Sequence, residues 1–265
     1  MNLVATCSIL LLAGASGIAK ADEWRFWLGV HDFNVPDVDS HTYGVTGGGW
    51  FDKQSASGRH YFGGVDLFAD RDEDELDPDH IPFRWDVHLG TDGNLWKGAR
   101  TYIDWTANVD TRMNTASSVE REITALPAIV ARYEGKFIEP SLKAGAGWFF
   151  LEIDDDVPKT RGYDRSDFRN STLGYTVAAD VKIRIGECCK VDVLAQGWMD
   201  DDDWLQNQYE AALHIDTGSF RKDSEVVLSA AAYEYNLDVY QRPGEPAILP
   251  WDNDLLVRLI FKVAR

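Results

Sequence analysis

The stretch Ile81-Pro82-Phe83-Arg84-Trp85-Asp86-Val87-His88-Leu89 decides the fold. Ile81, Phe83, Trp85, Val87 and Leu89 share one side of an extended chain, whereas Arg84, Asp86 and His88 share the other, because successive side chains of a strand point to opposite faces. Two further stretches repeat the pattern. Ile103, Trp105, Ala107 and Val109 alternate with Asp104, Thr106, Asn108, Asp110 and Arg112, and Val177, Ala179, Val181, Ile183 and Ile185 alternate with Asp180, Lys182 and Arg184. A purely apolar face opposite a charged face fits poorly into a packed interior, where both faces are covered by protein.

The same alternation, followed along the chain, predicts twelve strands near residues 23–35, 41–53, 59–70, 81–90, 98–112, 119–134, 137–153, 173–186, 190–200, 205–216, 224–239 and 254–264. Strands two and seven are rich in glycine, and Pro127 removes a ladder donor within strand six, so a bulge or local break is expected there. No later segment is a run of eighteen or more apolar residues, which excludes a transmembrane helix but not a strand-built membrane protein. The chain holds 10 Trp, 10 Tyr and 12 Phe, and its mean hydropathy is slightly negative, a combination that suits a barrel in which only alternate residues meet lipid.

At the amino terminus an apolar stretch from Ile9 through Ile18 precedes Ala19-Lys20-Ala21, the small-x-small pattern of a secretory cleavage site. Residues 1–21 are therefore expected to be a signal peptide and residues 22–265 one barrel domain. Of the cysteines, Cys188 and Cys189 follow that site; being adjacent, they cannot staple distant parts of the fold. A net charge of -18 argues against nucleic acid or an anionic membrane surface as a partner, since both demand basic patches.

The connections test the barrel idea independently. If strand one starts in the periplasm, the turns containing Gln54 to Gly58, Thr91 to Gly93, Gly135-Lys136, Gly186 to Cys189 and Thr217 to Asp223 are periplasmic, and they are short. The acidic runs Asp70 to Asp79, Asp154 to Asp156 and Asp200 to Asp203 then all fall on the extracellular side. A soluble two-sheet sandwich also has regular short strands. The barrel is preferred on strand length, export signal, aromatic content and this segregation of charge.

In the last strand Leu255, Val257, Leu259, Phe261 and Val263 lie opposite Arg258 and Lys262. Here the chain resembles bacterial outer-membrane β-barrel proteins in general, porin-like in kind, whose members close on an amphipathic strand ending in Phe or Trp that the barrel-assembly machinery reads. This chain ends instead in Val263-Ala264-Arg265, a departure from that signal. The resemblance covers the chain beyond residue 21 and singles out no subfamily. It implies an all-β, single up-and-down antiparallel transmembrane barrel of about twelve strands in the bacterial outer membrane, with lipid, lipopolysaccharide and the assembly machinery as partners.

Alternation places Arg84, Asp86, His88, Asp104, Asp110, Arg112, Arg132, Asp180, Lys182, Arg184 and Arg258 on the lumen side, together with Glu234 and others. Charges of both signs either pair across strands or line water. The first reading is therefore a passive channel for small hydrophilic solutes, with these residues setting selectivity; the second is a salt-bridged, plugged barrel of structural or surface role. Asp70, Asp72 and Asp74 are candidate ligands for a hard cation, or for divalent bridging to lipopolysaccharide phosphates. The loop has Glu75 and Ile81 where a calcium loop of the EF-hand type needs Gly and Glu. No cofactor is implied. An outer-membrane lipid hydrolase or deacylase is a third reading, but the chain has no G-x-S-x-G, no H-E-x-x-H and no His followed two residues later by Ser. The long polar loop from Asp154 to Thr172 either folds into the lumen or stays outside it, and the sequence does not choose.

Overall fold

The alternation at residues 83–89 is realised as the first half of a fifteen-residue strand, one of twelve. They are β1 (Glu23–Val35), β2 (Ser40–Gln54), β3 (His60–Asp70), β4 (Phe83–Lys97), β5 (Thr101–Met113) and β6 (Val119–Tyr133). The others are β7 (Ile138–Ile153), β8 (Arg169–Ile185), β9 (Cys189–Met199), β10 (Trp204–Asp216), β11 (Ser224–Tyr235) and β12 (Asn253–Ala264). The computed structural model describes residues 23–55, 59–71, 83–113, 119–154, 156–164, 166–201, 203–218, 221–249 and 251–265. The expected signal peptide lies outside them.

Each strand pairs antiparallel with its neighbours in sequence, and β1 pairs with β12 from Arg25↔Ala264 to Asn34↔Leu255, so the sheet is a closed barrel with no free edge. The shortest strands have 11 residues and the longest 17, enough for tilted strands to cross a bilayer. Among the described residues no helix is long and apolar enough to do so.

Outward side chains such as Leu28, Val45, Leu67, Leu142, Val177 and Leu228 are exposed and apolar. They are bounded by aromatic residues at both ends: Trp24, Tyr61, Trp96 and Tyr133 at the end that holds the chain termini, and Tyr43, Phe83, Trp148 and Trp204 towards the end that holds the β7–β8 and β11–β12 loops. Two aromatic girdles around an apolar belt are the exterior of a bacterial outer-membrane barrel.

Several expected boundaries need correction. Residues 91–93 are not a turn: Thr91, Asp92 and Gly93 pair with Ala107, Thr106 and Trp105, and the chain reverses after Lys97, at residues 98–100. Polarity and a glycine suggested a turn, but in a wide barrel a polar inward residue near the end of a strand meets water and continues the ladder. At Pro127 the break takes the form of a gap. β6–β7 pairing skips Leu126 and Pro127 and resumes in the same register, while Pro127 still sits opposite Ala107 of β5. The bulge of this strand is at its other end, between Val119 and Arg121. Strand eleven ends at Tyr235 and is followed by a 3-10 turn over Leu237–Tyr240. Glu234 faces outward beside Asn207, because Tyr233 and Tyr235 hold the inward positions.

Candidate functional site

The inward face divides into two halves. At the loop end it is sealed. Val119, Leu126, Phe149, Leu151, Ile153, Trp198 and Leu205 of the wall pack against Tyr163 and Phe168 from the β7–β8 loop and against Leu237, Tyr240, Ile248 and Leu249 from the β11–β12 loop. A second cluster joins Phe33, Val35, Phe68 and Leu256 to Trp251. The β7–β8 loop thus folds inward, with β8 taking over at Arg169 and a five-residue helix, Asp156–Thr160, within the connection. Between the two loops Arg242 binds Asp167 at 2.7 Å and stacks on Tyr163, and Arg161 donates to the Ala247 carbonyl at 2.7 Å.

Under this seal lies a dry ionic layer. Arg112 is 9% exposed; its Nη1 donates to the Tyr235 hydroxyl at 2.6 Å and to Glu122 at 3.3 Å, and its Nη2 is 3.5 Å from Asp254. Tyr235 in turn donates to Asp254 at 3.0 Å, Gln206 donates to Glu122 at 3.1 Å, and the guanidinium lies 3.6 Å from the centre of the Tyr233 ring. On the other wall Arg84, 3% exposed, is held between the rings of Phe33 and Phe68 and pairs with Asp70 at 3.3 Å. Asp70 also bonds His31 Nε2 at 2.6 Å. Gly44 makes this contact possible, since a Cβ there would come within 2.6 Å of the His31 ring.

Towards the short turns the lumen opens. A cavity of about 600 Å³ is lined by acids, among them Asp92, Asp104, Glu139 and Asp180, and by the basic side chains of His60, Arg132, Lys143 and Lys182. A smaller one of about 240 Å³ lies against the dry layer, lined by His88, Asp110, Arg112, Glu122, Glu210 and Tyr233; the two share Asn108 and Lys143. Arg132 pairs with Asp104 at 2.8 Å, Arg184 with Glu139, and Arg258 with Asp66 at 2.8 Å. Histidines bridge carboxylates of flanking strands: His60 those of Asp52 and Asp92, His88 those of Asp110 and, at 4.0 Å, Asp66, and His214 those of Asp192 and Glu225. In each case the acids lie on either side of the imidazole, so they do not converge on a point where an ion could sit.

All eleven lumen candidates therefore point inward, but into different surroundings. Asp86 lies among Arg84, Arg112, Asp66 and His88 at the base of the dry layer. Arg84 and Arg112 belong to that layer and are withdrawn from the open cavity, whereas Asp104, Arg132, Asp180 and Lys182 line it. Asp70, expected in a solvated acidic loop or at a cation site, is instead the buried last residue of β3, and its carboxylate is taken by His31 and Arg84. Asp72 and Asp74 lie outside the described residues. Among the described residues no group of three or more His, Cys, Asp or Glu is placed to hold a metal.

Sequence reasoning missed Glu122, Gln206, Tyr233, Tyr235 and Asp254. The two tyrosines were the hardest to place, because an aromatic residue on alternate positions reads as lipid-facing. On the outer wall His41 bonds Asp32 at 3.1 Å and Asn34 at 2.9 Å, an arrangement that orients an imidazole, but these two partners supply no nucleophile. The Sγ atoms of Cys188 and Cys189 are free thiols 2.8 Å apart in the β8–β9 turn region.

No family model and no curated protein sequence matches this chain. Among solved structures it is similar to the NanC porin, with TM-score 0.53 and 10% identity over 89% of this chain and 98% of that one. It is also similar to the KdgM porin in complex with disordered oligogalacturonate, with TM-score 0.49 and 7% identity over 91% and 98%. A third similarity is to outer membrane phospholipase A from Escherichia coli, with TM-score 0.44 and 12% identity over 91% of each chain. At these identities the likeness is one of fold: the chain is a closed twelve-stranded β-barrel of the kind seen in porins, with an apolar belt and aromatic girdles on its exterior.

Proposed function

We propose that this barrel is a passive channel for small hydrophilic solutes, drawn here with its loop-end entrance shut. The observation that carries the reading is the charged cavity that rises from the turn end to the Arg112 layer and stops under a seal in which side chains of two loops pack against the wall. The loop side chains of that seal can be withdrawn without unmaking the strand ladder, and the Arg84 and Arg112 layer beneath, made of wall residues, must then yield by side-chain rearrangement alone.

The contact between the two loops is where opening is controlled. Asp167 is held below the usual carboxylate range, first by the Asp164 backbone N–H at 2.8 Å and then by Arg242, while Asp167 raises Arg242. A carboxylate whose folded-state pKa is depressed supports its contact at and above the ordinary range and loses it as pH falls below that range. The latch is therefore expected to hold at neutral and mildly acidic pH.

The test is single-channel conductance in a planar bilayer for the wild-type chain and for R161A/R242A. The wild type is expected to be closed for most of the record at pH 7, and the variant to show frequent stable steps. A wild-type record that opens more as pH drops under the carboxylate range would support the same latch. Silence from the variant, with heat-shifted gel migration proving it folded, would instead favour the second reading, a plugged barrel of structural role, for which the completeness of the seal speaks.

A further inference from the structure

Where the outer wall meets the loop end, three adjacent strands carry charge on the face that is apolar further down. Arg121 of β6, Glu152 of β7 and Arg169 of β8 stand directly opposite one another in the register. Arg169 places Nε at 2.7 Å and Nη2 at 2.6 Å from Glu152 Oε1, and Arg121 Nη1 lies 3.5 Å from Oε2. The carboxylate is almost wholly covered, 2% exposed, whereas the side chains of Arg121 and Arg169 keep 25% and 34% of their surface. The wall therefore presents two guanidiniums to its surroundings and hides the acid that aligns them.

The other charged side chains on outward or bulged strand positions of the loop-end half, among the described residues, are Asp32, Glu120, Glu234 and the histidine His41, so the guanidiniums of that face are those of Arg121 and Arg169.

Depth points the same way. Trp148 and Leu173 lie on the same outward face, strongly exposed, with the indole N–H bonded to Ser171 at 2.9 Å. An exposed tryptophan marks the boundary between hydrocarbon and headgroups. Glu152 lies four steps along the strand from Trp148, roughly 10 Å along the membrane normal for a strand tilted by about 40°. The guanidiniums thus stand at headgroup height. Each has five N–H donors, and the contacts to Glu152 leave donors over for the oxygens of a phosphate.

We propose that Arg121 and Arg169 bind a phosphate of an anionic outer-leaflet lipid, with Glu152 as the positioning residue that fixes both guanidiniums. The experiment is native mass spectrometry of the full chain in detergent doped with bisphosphorylated lipid A, compared with the triple variant R121Q/E152Q/R169Q. Removing all three charges together avoids stranding one member of the triad, so the variant is expected to fold and to show the wild-type heat shift on a gel. Wild-type protein is expected to retain bound lipid, and the variant to bind at least about tenfold more weakly. R121K/R169K, which keeps the charge but not the forked geometry, is expected to fall between them. Equal retention by wild type and triple variant would overturn the proposal. So would equal retention of dephosphorylated lipid A, or displacement of the lipid by millimolar inorganic phosphate, which would make the site one for the free anion.

Discussion

The two halves of the lumen are built from the same alternation and have opposite physical characters. In the loop-end half, Arg84 and Arg112 are dry, stacked on aromatic rings and bonded to carboxylates that are themselves buried. In the turn-end half, Arg132 and Arg184 pair with carboxylates too, but their side chains remain about half exposed. A buried pair resists the loss of either partner because the remaining charge has no water to turn to, whereas an exposed pair is replaced by hydration at little cost. The difference teaches that inward-facing charge in this barrel is locked into protein at one end and open to the cavity at the other.

Removing one charge from the dry layer is the most severe way to press this comparison. Arg112→Ala leaves Glu122 and Asp254 facing each other across an uncompensated gap, and is expected to cost about 3–5 kcal/mol. Urea unfolding of the protein in lipid vesicles, followed by tryptophan fluorescence, measures it. A loss under about 1 kcal/mol would mean that water reaches the layer and that the two halves are alike.

Tyr235→Phe makes a smaller cut in the same place. It deletes the hydroxyl that accepts from Arg112 and donates to Asp254 while keeping the stacked pair of tyrosine rings, 6.4 Å between centres. The expected loss is about 1–3 kcal/mol in the same assay, since buried partners go unsatisfied.

The smallest stability effect is expected from Arg132→Ala at the open end, within about 1 kcal/mol, because Arg132 is about half exposed and Asp104 keeps the hydrogen bond from the Asn94 amide at 2.8 Å. Here the readout is electrical. With Asp104 left unpaired in the cavity wall, the reversal potential of an open channel in a salt gradient should shift towards cations. An unchanged potential together with a large loss of stability would reverse the assignment of the two halves.

Local chemistry determined much of this protein. The period-2 alternation at Phe83–Leu89, Ile103–Arg112 and Val177–Ile185 specifies strands with one lipid face and one polar face, since a one-residue slip would put every charge into lipid. It was therefore legible which way Arg84, Asp104, Asp180 and Arg258 point, and that the strands number twelve, because each depends only on neighbours along the chain. What became of those charges was decided by tertiary structure. Whether an inward residue meets water or protein depends on the β7–β8 and β11–β12 loops, whose Tyr163, Phe168, Ile248 and Trp251 carry no periodic signal and come from far along the chain. The loops' return into the barrel covered the inward Tyr233 and Tyr235 and split one continuous charged face into a seal and a cavity. The reason is physical: alternation is written into the backbone geometry of each strand, but dielectric surroundings belong to whatever the rest of the molecule places nearby.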